Sequence, residues 1–381
     1  MAVAMDQIYA ADVDTPDEQR PGLPFSFHGK ASEYFGIWIV NILLSVITLG
    51  IYSAWAKVRN KRYFYGNTKL EGSSFAYLAS PLQILKGRLI AFAFFAAYAL
   101  VTTFWPITIW AFIVLMFLIT PWAIVRSRAF NAHYSAYRNV RFGFTGGLGE
   151  AFKIYILLPM ANLLSLGGVI PYSAHRADRF FVDRSTYGST KMAFSGEVGA
   201  YYRIYGVTLL LAWPVVLLIG AISLFSIAFS LQSIGLDATE IEQLMTDYAA
   251  LVREFLSPYA AWIPPFIIIA AILWIVGSSY LTVYRQNYLV NNTKIGPHEI
   301  KLTLGLGRVL WIRVTNLIVI SLSLGLMIPW ARIRMARYQI GQMSLLAKGD
   351  LDTLIGEQQA KTGAYGDELG EGMDLDLGLG V

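Results

Sequence analysis

The chain has 381 residues, of which 56% are hydrophobic and only 14% charged, with a mean hydropathy of +0.51. That balance excludes a water-soluble globular protein and points to an integral membrane protein. Thirty Lys plus Arg against 25 Asp plus Glu give a net charge of +5, and the lack of Cys excludes disulfide scaffolds, zinc ribbons, iron–sulfur sites and thiol catalysis.

Residues 1–23 are polar and acidic (Asp12, Asp14, Asp17, Glu18), with no apolar stretch of the kind a signal peptide needs, so a flexible N-terminal tail is expected there. Charge-free runs follow at 34–56, 89–125, 154–174, 204–236, 255–284 and 314–331. A spanning helix takes about 20 apolar residues. The run 89–125 therefore divides into two spans around Trp105-Pro106, and 204–236 and 255–284 each make one, for four long spans. The other three runs are short and carry basic residues on both sides, which favours their entering and leaving on the cytoplasmic face, broken at Gly50, Gly167 and Gly325. Seven ordinary spans with one violation of the charge bias are the alternative. The segment between the last two long spans holds Asp237, Glu240, Glu242, Asp247 and Glu254 against Arg253, which marks it as external.

Internal similarity is the strongest pattern. Trp55 to Arg59, Trp122 to Arg126 and Trp330 to Arg334 share the word W-A-x-[VI]-R, with looser copies at Tyr172 to Arg176 and Leu281 to Arg285. Alternating words of strand type precede the apolar runs: Phe25, Phe27 and Gly29; Phe142, Phe144 and Gly146; Met192, Phe194 and Gly196; Leu302 and Leu304. The expected fold is a mostly α-helical, polytopic tandem-repeat bundle. It combines four long spans, three short Gly-broken elements, re-entrant or spanning, and short cytoplasmic β-hairpins. The units run about 24–70, 71–140, 141–191, 192–295 and 296–347, followed by an acidic, Gly-rich tail at 348–381.

Chemistry is sparse. The four histidines stand far apart, no phosphate loop or nucleophile elbow occurs, and the long spans hold no carboxylate, Lys or Arg, which disfavours ion-coupled transport. No enzyme activity, cofactor, metal or nucleic-acid partner is expected. Asn41, Asn162 and Asn316, beside Gly50, Gly167 and Gly325, either bond helix to helix or border one polar path. Trp55 with Arg59, Trp122 with Arg126, Tyr172 with Arg176, Arg285, and Trp330 with Arg334 either anchor the chain at the membrane surface or form a rim for anions or lipid head groups.

The stretch FSFHGKASEYFGIWIVNILLSVITLGIYSAWAKVRNKRYFYGNTKLEG resembles the opening of the YjgN family of bacterial inner-membrane proteins, and the likeness runs from about Pro24 to the end of the chain. The resemblance implies a multi-pass inner-membrane protein and carries no activity or site residue across. Two functions follow as expectations: non-coupled permeation or lipid handling, with membrane lipids as partners; or a scaffold for another membrane protein, bound through the cytoplasmic C-terminal tail, whose residues 373–381 alternate apolar and acidic side chains.

Overall fold

The computed structural model describes residues 22–232, 237–256 and 263–348, so both the N-terminal tail and the acidic C-terminal tail lie outside the described residues. Strand β1 (Leu23–Phe27) leads to helices α1 (Ala31–Ile47) and α2 (Ser53–Asn67), then to the hairpin β2 (Thr68–Leu70) and β3 (Ser73–Tyr77). Helices α3 (Pro81–Phe104) and α4 (Thr108–His133) bring the chain to β4 (Ser135–Tyr137) and β5 (Val140–Phe144). A short α5 (Leu148–Phe152), a π-helical turn (Lys153–Leu157), α6 (Leu158–Leu164) and α7 (Ile170–Asp183) precede β6 (Ser185–Tyr187) and β7 (Thr190–Phe194). Then come α8 (Val198–Gln232), α9 (Ala238–Leu256), α10 (Ile263–Asn291), β8 (Thr293–Ile295), β9 (His298–Leu302), α11 (Leu306–Leu322), α12 (Ile328–Gly341) and β10 (Met343–Leu346).

The chain forms two compact units. The first takes in the described residues up to Glu197 together with Asn287–Leu304 and those from 315 onward. Its centre is a closed antiparallel barrel of ten strands, in which β1 pairs with β2 on one side and with β10 on the other. This corrects the expected fold: the strands are not hairpins capping a helical bundle but one closed barrel. The expectation failed because each strand is only three to five residues long and pairs with strands from the neighbouring units, information that no local pattern carries.

The pairing repeats around the barrel. Phe25 faces Leu70, Phe75 faces Tyr137, Phe142 faces Tyr187, Met192 faces Ile295, and Ile300 faces Leu345. Since alternate residues of a strand share a face, these ten side chains point inward and pack into one apolar core with Val140 and Leu23. Lys69, Arg141, Lys191, Lys294 and Lys301 occupy the alternate, outward positions. A membrane-spanning barrel has the opposite polarity and strands of about 9–11 residues. This barrel is therefore a water-facing module with an oily interior. Its tight turns have the left-handed residues that two-residue hairpins require: Glu71 and Gly72 (φ 47° and 74°), Arg138 and Asn139 (φ 46° and 65°), Gly188 (φ 57°) and Gly296 (φ 56°).

The F-x-G word also has a steric cause. A Cβ on Gly29, Gly146 or Gly196 would lie 2.3–2.6 Å from the ring of Phe27, Phe144 or Phe194, so the aromatic ring folds over the glycine two residues on.

Helices α1 and α2, α6 and α7, and α11 and α12 form three helix–turn–helix pairs. At each turn a leucine and a glycine both take positive φ: Leu49 and Gly50, Leu166 and Gly167, Leu324 and Gly325. The glycine N–H bonds back five residues, to Ser45, Asn162 or Ile320, which satisfies a carbonyl of the closing helix turn as a Schellman cap does. The hydroxyl before each leucine then accepts from the residue just ahead of the next helix: Thr48 from Tyr52 N–H, Ser165 from Val169 N–H, Ser323 from Met327 N–H. The expected single broken elements are thus pairs of separate helices, and the second helix of each pair is a support for the barrel. The three turn leucines are 93%, 97% and 94% exposed, so each tip presents an apolar side chain.

Among the described residues, four helices are long and apolar enough to cross a membrane: Pro81–Phe104, Thr108–His133, Val198–Leu217 and Pro264–Asn291. In the second unit, Val198–Gln286 with Gly305–Val314, Gly277 lets α10 approach α8, since a Cβ there would stand 3.3 Å from that of Leu211. Arg313 of α11 donates to Ser279 Oγ (2.9 Å) and Thr282 Oγ1 (2.8 Å) of α10.

Candidate functional site

Five helices, α2, α4, α7, α10 and α12, end directly at barrel strands β2, β4, β6, β8 and β10. In four of them the first strand residue bonds back to the helix: Thr68 Oγ1 to Phe64 O (2.8 Å), Ser135 Oγ to Asn131 O (2.7 Å), Ser185 Oγ to Phe181 O (2.7 Å) and Thr293 Oγ1 to Leu289 O (2.8 Å). These hydroxyls occupy carbonyls that a helix C-terminus leaves open, and they tie each helix end to the barrel rim. The helix ends so held border an open cavity of about 1300 Å³. Drug-sized ligand pockets measure roughly 300–1,000 Å³, so there is room here for a larger or elongated molecule.

The floor of the cavity is the inward face of the barrel, including Phe25, Phe75, Phe142, Met192, Ile300 and Leu345. One wall runs up α4 through Asn131, Ser127, Ile124, Ala123 and Thr120, residues of a span long enough to cross the membrane. Among the described residues, two charged side chains line the cavity, Lys61 of α2 and Arg128 of α4, and no carboxylate does. Lys61 Nζ donates to Asn131 Oδ1 and stands 4.7 Å above the Tyr77 ring; the Arg128 guanidinium lies 4.4 Å over the Phe181 ring. Burial pulls the Lys61 ammonium below its ordinary pKa. One helical turn earlier, Lys57 is pulled down to about 8, first by burial and then by the nearby charges of Lys61 and Arg88. At the turn end of the barrel His298 also borders the cavity; it is 2% exposed, its Nδ1 has no hydrogen-bond partner among the described residues, and burial lowers its pKa. Among the described residues, no group of three His, Cys, Asp or Glu is placed to hold a metal ion.

The sequence-predicted residues fall elsewhere. Asn41 donates to Asn60 Oδ1 (3.1 Å), Asn162 Oδ1 accepts from Ser173 Oγ (3.2 Å), and Asn316 donates to Ala331 O (3.3 Å) while accepting from Arg334 (3.0 Å). Each asparagine bonds to the second helix of its own pair, and Gly50, Gly167 and Gly325 sit in the turns of those same pairs. Of the aromatic and arginine pairs, Trp330 and Arg334 interact directly, with the guanidinium 5.1 Å from the ring centre. Arg59 and Arg126 are exposed, as is Tyr172, while Trp55, Trp122, Arg176 and Arg285 are half-buried. Arg59, Arg126, Arg176 and Arg334 each lie nine residues before a strand start, at Thr68, Ser135, Ser185 and Met343; Arg285 lies eight before Thr293, so it is out of step with the others. None of these residues lines the cavity. Lys61 and Arg128 escaped the sequence reading, although both sit seven residues before a strand start, at Thr68 and Ser135. That offset could have found them had the strands been placed first.

Residues 22–372 match the family described as "Bacterial protein of unknown function (DUF898)". Curated relatives include the "Inner membrane protein YjgN" of Escherichia coli (strain K12), 29% identical over 150 residues that make up 39% of this chain and 38% of that one. The protein of the same name from Salmonella typhimurium (strain LT2) is 32% identical over 141 residues, 37% of this chain and 36% of that one. The matched region thus spans little more than a third of the length of either relative. No solved structure matches the chain.

Proposed function

The chain belongs to the DUF898 family, whose function is unknown, and from this membership and the cavity we propose that it is an inner-membrane protein that binds and handles a membrane amphiphile. The observation that carries this reading is the cavity itself: about 1300 Å³, oily on its floor, and continuous with the wall of a membrane-length helix. Relative to water, burial of an acyl chain there is favourable by about 0.8 kcal/mol per methylene. Ten inward side chains pack together across the barrel, and permeation along its axis would need that core to part. Binding is therefore favoured over conduction. The cationic barrel exterior supports a cytoplasmic position for the barrel, because short basic segments tend to remain on that side.

Native mass spectrometry of the full chain, extracted gently in detergent, tests the reading. The wild type should carry one amphiphile, and Ala123→Trp, which fills the α4 wall, should lose it while Lys69→Gln on the barrel exterior keeps it. A wild type that carries none and takes up none from mixed micelles refutes the proposal.

A further inference from the structure

Half-buried Lys61 is out of place in a cavity that is otherwise oily; Arg128 also lines it but remains exposed. A cation drawn partly out of water costs free energy unless an anion or a set of acceptors answers it. Among the described residues neither Lys61 nor Arg128 forms an ion pair; Lys61 has one neutral amide oxygen and one ring face, and Arg128 one ring face. The nearest carboxylate in the pattern is Asp178, which occupies the same place before β6 that Lys61 and Arg128 occupy before β2 and β4. Asp178 is buried and acts, with Arg128, on the Tyr155 hydroxyl, yet it is not among the residues that line the cavity. It can balance part of the Arg128 charge. Lys61 has no such counterpart.

The polar groups are also arranged to receive a head group. Arg128 and Asn131 stand one turn apart on α4, hence on one face, and Lys61 reaches across from α2 to the Asn131 amide. That amide is itself fixed by donation to Ser127 O at 2.7 Å. Lys61 and an oriented amide thus meet where the helix ends join the barrel, with exposed Arg128 also on the lining and apolar surface on the floor below and along α4. We propose that the cavity takes an anionic amphiphile, a long chain bearing a carboxylate or phosphate, with the head group held by Lys61 and Asn131, Arg128 behind them, and the chain against the apolar walls. The lowered basicity of Lys61 follows from the same unanswered burial and would be relieved by the bound anion. This inference rests on the amphiphile reading above and adds the sign of the head group and the residues that choose it.

The test uses the full chain in neutral detergent, stripped of lipid, with three probes: a fluorescent long-chain carboxylate, its methyl ester, and inorganic phosphate. The wild type should bind the carboxylate at least tenfold more tightly than the ester, about 1.4 kcal/mol. Lys61→Gln should remove most of that preference and Lys61→Arg should keep it, which separates charge from fold; Arg128→Gln should reduce it. Equal binding of acid and ester by the wild type, or a preference that survives in both glutamine variants, overturns the proposal and leaves the amphiphile reading standing. If neither chain-bearing probe binds, both readings fall. If phosphate displaces the labelled carboxylate as effectively as unlabelled carboxylate does, the site takes a free anion and the membrane source is refuted.

Discussion

The first perturbation to make is Ile333→Ala, because this residue sits where the two ends of the described chain meet. Ile333 of α12 is 2% exposed and packs with Phe27 of β1 and with Tyr34 of α1, which is fully buried. Around it Arg332 donates to Tyr34 Oη (3.2 Å), and Arg337 donates to Gly29 O (2.9 Å) just beyond β1. Truncating an Ile in such a site removes packed methyl groups and leaves a cavity that the flanking rings can fill only in part; the usual cost is about 2–5 kcal/mol. If the seam between the ends is what opens, the open population rises roughly 30-fold at the low end of that range and by thousands at the high end. Limited proteolysis under native conditions reads that population, and thermal unfolding in detergent reads the loss of stability. The exterior change Lys301→Ala serves as control, with an expected effect within about 0.5 kcal/mol. An Ile333→Ala protein that matches the control in both assays would refute the seam.

Three further outcomes follow from the same geometry. Lys57, with its pKa near 8, should react with an amine-acylating reagent along a curve centred near pH 8, whereas an ordinary lysine titrates at about 10.4; a midpoint above 10 contradicts the crowding by Lys61 and Arg88. His298 is held neutral by burial, so the unfolded chain takes up its proton first and stability falls as the pH drops below 6.5; His298→Gln should lose less melting temperature than the wild type between about pH 7.5 and about pH 5, and an equal loss would count against this. Asn316→Leu strips Arg334 of a charge-assisted acceptor and should cost about 1–3 kcal/mol in unfolding, without changing amphiphile binding; a selective loss of binding at unchanged stability would return Asn316 to the functional site.

Much of the local structure could be read in the residues. The turn at Trp105-Pro106 separates α3 from α4, and the charge-free runs locate the four membrane-length helices. Serine or threonine followed by Leu-Gly recurs at residue 48, at 165 and at 323, because the hydroxyl caps the next helix and the glycine takes positive φ. Barrel closure was not legible: strands of three to five residues give a weak period-two pattern, and the decisive pairing of β1 with β10 joins segments more than 300 residues apart. The site failed to show for a related reason. Asn41, Asn162 and Asn316 attract attention as polar groups in apolar runs, yet each closes its own helix pair, while Lys61 and Arg128 look like ordinary members of basic loops until the barrel gathers their helices.

The whole account depends on that closure, since the cavity floor exists only if the barrel is complete. Pro24 of β1 faces Ser344 of β10, and the chain has no cysteine of its own. Directly opposed residues of antiparallel strands have Cα atoms about 4.5–5.5 Å apart, within the reach of a disulfide. Pro24→Cys with Ser344→Cys should therefore cross-link nearly completely on mild oxidation in the membrane and shift the denatured chain's mobility on a gel, an effect that reductant reverses. Thiols that stay free under those conditions, while a control pair inside one hairpin, Lys294→Cys with Glu299→Cys, does cross-link, would mean that the two ends do not meet and that the barrel is open.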